Sequence, residues 1–190
     1  MTKGTGSPVK AVRRRTSAVM IAAALVLEMI VLYKLPNGGS VTLSPLPIIF
    51  FALRWGTGWG AMAGFVFGGL NYILGGSAID WTTIIFDYFL AFSMLGVGAG
   101  LFKGRRYGVY GATVVGIAFQ FVASYLEGLF VWGKWMPEAF LGMTMTTPWF
   151  YSFLYNILWA GPDMLLALVA FGLLYRVVPI RRYLLGEDLL

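Results

Sequence analysis

The sequence predicts an all-α integral membrane protein with six transmembrane helices and both termini in the cytoplasm. Three observations predict it. Apolar residues make up 59% of the 190, charged residues only 12%, and mean hydropathy is +0.78, whereas a water-soluble surface needs about a quarter of its residues charged. The apolar residues gather into six stretches, at about 17–33, 41–55, 57–74, 81–102, 108–133 and 149–178, divided by glycine turns, prolines or charge clusters. Threading six spans puts Lys3, Lys10, Arg13, Arg14, Arg15, Arg54, Lys103, Arg105, Arg106, Arg176, Arg181 and Arg182 on one side, and only Lys34 and Lys134 on the other. Positive charge stays in the cytoplasm.

Residues 1–16 read as a basic cytoplasmic segment, 17–183 as the six-helix domain and 184–190 as a cytoplasmic tail. The first stretch, Ser17 to Tyr33, is about the minimum for a spanning helix. It resembles the apolar region of a signal peptide, but no small-x-small cleavage site comes after it, so it reads as a retained helix. Ala18 and Ala22 form a small-xxx-small pair on it, a plausible docking surface for another membrane protein. The second and third stretches are short and separated only by Trp55-Gly56-Thr57-Gly58. Gly60, Gly64 and Gly68 recur every four residues in the third, and Gly96 and Gly100 do so in the fourth; this spacing predicts close helix packing. The last two stretches are long enough to tilt or to extend beyond the bilayer. The loops opposite the basic side are then Leu35–Ser40, Gly75–Asp80 and Lys134–Pro148, all rich in Gly, Pro or Thr. The first is either a tight turn or a hinge over a cavity.

Several functions are excluded. With no His and no Cys, a Ser-His-Asp triad, thiol chemistry and a His-rich or thiolate metal site are impossible. Neither an enzymatic role nor a cofactor is expected. No Walker A loop occurs, and the net charge of +6 is spent on topology rather than nucleic acid. The chain is also too small for the paired repeats of most secondary transporters.

What remains are residues that are costly in lipid. Four acids fall within the spans: Glu28, Asp87, Glu127 and Asp163. None has a Lys or Arg nearby in sequence to pair with, so a cationic ligand would supply the missing partner. Asp87 reads as a ligand contact, and Glu127 as either that or an interhelical hydrogen bond. Glu28 and Asp163 read as structural hydrogen bonds. Most aromatics near the same end belong to an interfacial belt, but Trp132, Tyr151 and Asn156 fall in the same outer third as Asp87. Acid, stacked aromatics and amide together suit a flat cationic heteroaromatic ligand.

Several segments then carry a family resemblance: Pro36-Asn37-Gly38-Gly39-Ser40-Val41-Thr42-Leu43 with Leu46-Pro47-Ile48, Phe51-Ala52-Leu53-Arg54-Trp55-Gly56, Asp87-Tyr88 with Ala91-Phe92, and Tyr151-Ser152-Phe153-Leu154-Tyr155-Asn156. In their order and spacing the chain resembles the thiamin-specific substrate-binding subunit of energy-coupling factor transporters, over nearly its whole length. The resemblance implies that Asp87, Tyr88, Trp132, Tyr151 and Asn156 contact the vitamin. It further implies that Ala18 and Ala22 dock a transmembrane coupling subunit, which works with two ATPase subunits. One departure stands out: where that family has His in a His-x-x-Ser-Gly segment, this chain has Ser124-Tyr125-Leu126-Glu127-Gly128. Ser124 and Glu127 thereby join the expected site, and another pyrimidine or thiazole ligand stays open beside thiamin. So does a stand-alone proton-coupled carrier using Asp87 and Glu127 as relays.

Overall fold

A computed structural model describes residues 8–36 and 39–185. Six helical rods run in order: α1 (Pro8–Met29), α2 (Pro45–Trp55), α3 (Thr57–Ile73), α4 (Trp81–Gly100), α5 (Gly108–Phe130) and α6 (Pro148–Leu174), with a short α7 (Val178–Leu185) after them. Two hairpins interrupt the helices: β1 (Tyr33–Lys34) pairs with β2 (Ser40–Val41), and β3 (Ala139–Phe140) with β4 (Met143–Thr144). Of these helices α4, α5 and α6 are long and apolar enough to cross a bilayer.

The glycine periodicity becomes the tightest seam of the molecule, between α3 and α4. A Cβ on Gly60 would strike the Gly96 carbonyl, one on Gly64 the Phe92 carbonyl, and one on Gly68 the Tyr88 carbonyl. Two backbones can approach this closely only because α3 carries no side chain at the three contact positions.

Lipid-facing and core-facing residues separate as a membrane bundle requires. Phe51, Phe67, Ile48, Ile49, Leu95, Ile117 and Phe171 are fully buried, whereas Phe65, Val66, Val122, Leu165 and Val169 are exposed. Exposed apolar faces of this extent are stable only in lipid. Basic residues gather at one end. Arg13 lies over Trp59, 3.6 Å from the ring centre, Arg54 lies over Tyr183, and Lys103 reaches Gly56. Both hairpins lie at the opposite end.

Four elements differ from the sequence reading. α1 starts at Pro8 and ends at Met29, not at Ser17 and Tyr33. Its basic turns pack on the bundle through Arg13, which stacks on tryptophan; long basic side chains carry their charge to the interface. Tyr33 is drawn into the hairpin instead. The second apolar stretch is helical only from Pro45, so α2 is about 16 Å long, half a span. Thr42 to Ser44 run non-helically, with Thr42 and Ser44 buried. The fifth stretch leaves α-helix at Phe130 and tightens into a 3-10 turn, Trp132–Trp135. The sixth breaks after Leu174, where α7 takes over. The loop Leu35–Ser40 connects the paired strands β1 and β2, and its residues 37 and 38 lie outside the described residues. So do residues 1–7 of the basic segment and 186–190 of the tail.

Candidate functional site: an acidic, aromatic cavity

At the hairpin end a cavity of about 150 Å³ opens into the bundle. Its walls come from α1, the β1–β2 segment, α3, α4, α5 and α6. Every residue expected at the ligand site lines it: Asp87, Tyr88, Trp132, Tyr151, Asn156, Glu127 and Ser124. Ala18 and Ala22 do not; they lie on α1, outside the cavity wall.

Asp87 and Tyr88 sit in a π-helical segment of α4, Ile84–Leu90. A π-turn inserts an extra residue and rotates the remainder of the helix about its axis, which is why such segments concentrate at functional positions. Here the segment lies on the glycine seam, with the Tyr88 carbonyl over Gly68. The Tyr88 ring packs edge-on against Tyr72, and its hydroxyl donates to the Ser77 carbonyl at 3.0 Å.

α5 presents Gln120, Ser124 and Glu127 to the cavity, at spacings of four and three residues that place them on one face. The Asp87 carboxyl lies against the Ser124 hydroxyl and the Glu127 carboxyl. Glu127 is only 2% exposed and accepts a hydrogen bond from the Thr83 hydroxyl at 3.0 Å. Two carboxyls thus adjoin each other in a low-dielectric wall.

α6 contributes Ser152, Asn156, Trp159 and Asp163, again one face at helical spacing. The Ser152 hydroxyl donates to the Tyr125 carbonyl and fixes α6 against α5; Gly128 leaves the room for it. Asn156 donates to the Ser152 carbonyl and accepts from the Trp159 indole at 2.9 Å, so its amide orientation is set from both ends. Tyr151, Tyr155 and Phe140 form an aromatic cluster, with centroid separations of 5.5–6.1 Å. The Tyr155 hydroxyl donates to the Pro36 carbonyl and accepts from the Gly39 N–H, holding both sides of the first hairpin turn.

Glu28 and Asp163 are engaged in structure, as the sequence reading has them, and they also line the cavity. The Thr42 N–H donates to Asp163 Oδ1 at 3.0 Å, and the Thr42 hydroxyl to Glu28 Oε2 at 3.0 Å. Buried non-helical backbone at membrane depth needs such partners, because lipid offers none. Both carboxyls also approach the N-terminal end of α2, where the helix dipole favours negative charge.

Sequence reasoning missed Gln120, Tyr155, Trp159, Thr42 and Ser44, all lining the cavity. The periodicities 120–124–127 and 152–156–159–163 carry the signal for two of them, Gln120 and Trp159. The cavity lining holds four carboxyls, and among the described residues no Lys or Arg joins it. No cluster of three metal-ligating residues occurs among the described residues. The chemistry is that of a receptor for a cation with an aromatic body: carboxyls for charge, ring faces for stacking, hydroxyls and amides for orientation.

Comparison with known proteins places the chain among membrane transporters. Residues 15–181 match the family "Thiamine transporter protein (Thia_YuaJ)". The thiamine transporter ThiT of Bacillus subtilis is 27% identical over 178 residues, covering 85% of this chain and 89% of that protein. The thiamine transporter ThiT of Lacticaseibacillus paracasei is 28% identical over 150 residues, covering 70% and 72%. A solved structure of ThiT from Listeria monocytogenes superposes with a TM-score of 0.75 at 21% identity, over 90% of this chain and 97% of that one, which shows a shared fold.

Proposed function

This chain belongs to the thiamine transporter protein family, and from that premise we propose that it captures thiamin from outside the cell in the acidic, aromatic cavity and delivers it inward with an ATP-driven partner. It is a multi-pass protein of the cell membrane and a transporter, not an enzyme. The observation that carries the proposal is a cavity with four carboxyls and no basic residue among its described lining, walled by stacking rings. Thiamin is a flat aminopyrimidine joined to a permanently cationic thiazolium, and each feature of the cavity has a counterpart in it.

In this reading helices α1 to α6 span the membrane, and the basic end faces the cytoplasm with both termini. The hairpins, and with them the cavity mouth, face outward. Asp87 and Glu127 hold the positive charge, with Ser124 beside them standing where related receptors carry His. Trp132 and Tyr151 stack on the rings, while Tyr88 and Asn156 orient them. Ala18 and Ala22 form the flat strip on α1 that meets a transmembrane coupling subunit, itself driven by two ATPase subunits. Residues 17–183 make up this receptor domain.

Transport then rests on differential affinity. A site that binds tightly when open outward must lose affinity when its loops and walls rearrange, and a ligand alone cannot supply that work. The hairpin held by Tyr155 is the element whose release would open the mouth.

Tryptophan fluorescence of the purified, detergent-solubilised protein tests the reading. Thiamin should quench saturably in the nanomolar-to-micromolar range through Trp132 or Trp159. A response to hydroxymethylpyrimidine without one to thiamin would shift the ligand to a precursor, and silence to both would refute the proposal. The adjacent carboxyls of Asp87 and Glu127 favour one further reading, a stand-alone proton-coupled carrier; uptake that an uncoupler abolishes without a coupling subunit would select it.

A further inference from the structure

The short helix α7 lies at the basic end of the bundle and has two unlike faces. Ile180, Tyr183 and Leu184 face inward: Tyr183 stacks on Phe50 of α2 at 5.5 Å, its hydroxyl bonds to that of Thr16 on α1, and Leu184 is buried in the core. Arg181 and Arg182 are left exposed. The α4–α5 turn comes up beside this helix. The Tyr107 ring lies 6.4 Å from that of Tyr175, and Arg106 sits over the Tyr107 ring. Arg106 and Arg181 both lie within electrostatic reach of the Tyr175 hydroxyl. Two guanidiniums far apart in sequence thus converge from two elements, with Arg105, Arg176 and Arg182 exposed nearby in sequence. Residues 98–119 and 164–185 contain no Asp or Glu, so these segments supply no carboxyl to offset the charge. Like charges gathered in this way repel unless an anion meets them.

Apolar surface borders the patch. Leu165, Val169 and Leu173 are exposed at intervals of four along α6, a lipid-facing stripe that runs down to Arg176. Tyr107, Tyr110, Val177 and Val178 are exposed at the same end. A dissolved anion gains nothing from such a stripe, whereas a phospholipid uses both the cations and the stripe. We propose that this patch binds an anionic phospholipid of the adjoining leaflet, with Arg106 and Arg181 on its phosphate and its acyl chains along the α6 stripe. A guanidinium matches a phosphate with parallel charge-assisted hydrogen bonds, and its long stem lies along apolar surface. Clusters of basic residues at the end of a membrane helix attract anionic headgroups. A phosphate held from both sides ties the α4–α5 turn to α7. The inference goes beyond the thiamin reading and does not depend on it; it needs only that the chain spans a membrane.

The test uses the full-length protein in a nonionic detergent. The probes are dioctanoyl phosphatidylglycerol, dioctanoyl phosphatidylcholine and inorganic phosphate, and the readouts are thermal unfolding and native mass spectrometry. At about a hundredfold excess over its Kd, phosphatidylglycerol should raise the melting temperature by roughly 5–10 °C and stay on the protein as a single bound lipid. Phosphatidylcholine and inorganic phosphate should do neither. Arg106→Gln with Arg181→Gln should weaken phosphatidylglycerol binding roughly tenfold or more, and Arg106→Lys with Arg181→Lys should keep part of it. Lys10→Gln with Arg15→Gln removes two exposed charges from α1 and should leave the binding intact. All three variants should melt like the wild type without lipid and should bind thiamin like it. Equal stabilisation by both lipids, or an equal loss in the α1 variant, would show diffuse attraction and overturn the inference. Inorganic phosphate matching the lipid would overturn it in favour of a soluble anion, and no retained phosphatidylglycerol would leave the patch to an acidic protein partner. A wild type that fails to bind thiamin but retains the lipid would overturn the thiamin reading alone.

Discussion

Replacing Asp87 by Asn separates the electrostatic account of this cavity from a merely steric one. The side chain keeps its shape, its place in the π-helical segment and its neighbours Ser124 and Glu127; only the negative charge goes. Two unit charges about 4 Å apart attract by ~4 kcal/mol at an effective dielectric near 20. Glu127 remains in the same wall and recovers part of this. The net loss comes to about 2–3 kcal/mol, or roughly a 30- to 150-fold rise in Kd for a cationic ligand. The unliganded protein should change little, because Asp87 lies in hydrogen-bond contact with Glu127 and Asn keeps that contact; its melting temperature should stay within about 2–4 °C, the shift that one kcal/mol produces. Asp87→Asn with Glu127→Gln should cost more affinity than the sum of the single changes, because each carboxyl substitutes in part for the other when one is lost. Isothermal titration and thermal unfolding of the detergent-solubilised protein read both quantities. Affinity preserved within twofold, or affinity and stability falling together, would refute the electrostatic account.

Other consequences are equally direct. Ala18→Trp together with Ala22→Trp should leave thiamin affinity unchanged and stop uptake in cells containing the coupling subunits; continued uptake would exclude the α1 strip as the docking face. Gly64→Leu should abolish the folded protein, since even a Cβ at this position meets the Phe92 carbonyl and overpacking with a backbone obstacle has no side chain to move. Size-exclusion chromatography checks it, and a monodisperse, ligand-binding variant would contradict the seam. Tyr155→Phe removes both hydrogen bonds across the first hairpin turn, so ligand dissociation should accelerate by roughly an order of magnitude at 1–2 kcal/mol lost; an unchanged off-rate in stopped flow would detach the hairpin from gating. Asp80 caps α4 by accepting from the Thr82 hydroxyl and the Thr82 and Thr83 N–H groups, and the Thr82 hydroxyl leads in holding its carboxyl below the usual range. A lowered folded pKa means that the cap stabilises fully above the ordinary carboxylate pKa and fades as pH falls through the lowered value. Asp80→Asn should flatten the acid limb of the stability profile, and an identical profile would show the cap to be idle.

The sequence made the helices legible because a bilayer leaves little choice: apolar runs of sufficient length must be helical. The glycine column of α3 was legible for a similar reason, since only close packing explains Gly60, Gly64 and Gly68 at intervals of four. Asp87 could be found by cost alone. Three features lay beyond reach, each because its cause is distant in sequence. The non-helical segment Thr42–Ser44 reads as the start of a span, yet it is stable because Asp163, 121 residues away, receives the Thr42 N–H. The π-helical segment has no local signature; it belongs to the seam with α3 and the wall with α5. Gln120 escaped because a search for expensive groups begins with charges, and an amide becomes expensive only once its surroundings are known to withhold a partner.

The half-length of α2 ties these features together. A full second helix would fill the bundle with side chains to the mouth. Stopping it at Pro45 leaves room, but it also leaves the backbone of Thr42 to Ser44 without helical partners. Asp163 accepts from the Thr42 N–H, and the Thr42 hydroxyl, which donates to Glu28, accepts from the Ser44 N–H. The four carboxyls of the cavity thereby divide into two pairs of different character. The pair on α1 and α6 is engaged by the chain's own donors, and its charge lies near the start of α2. The pair on α4 and α5 has hydroxyl neighbours in Ser124 and Thr83 but, among the described residues, no cation and no backbone N–H as a partner. A cationic ligand gains most where negative charge is least compensated. On the proposed reading, its charged ring sits at Asp87 and Glu127. The α1–α6 pair holds open the space into which the rest of the molecule extends.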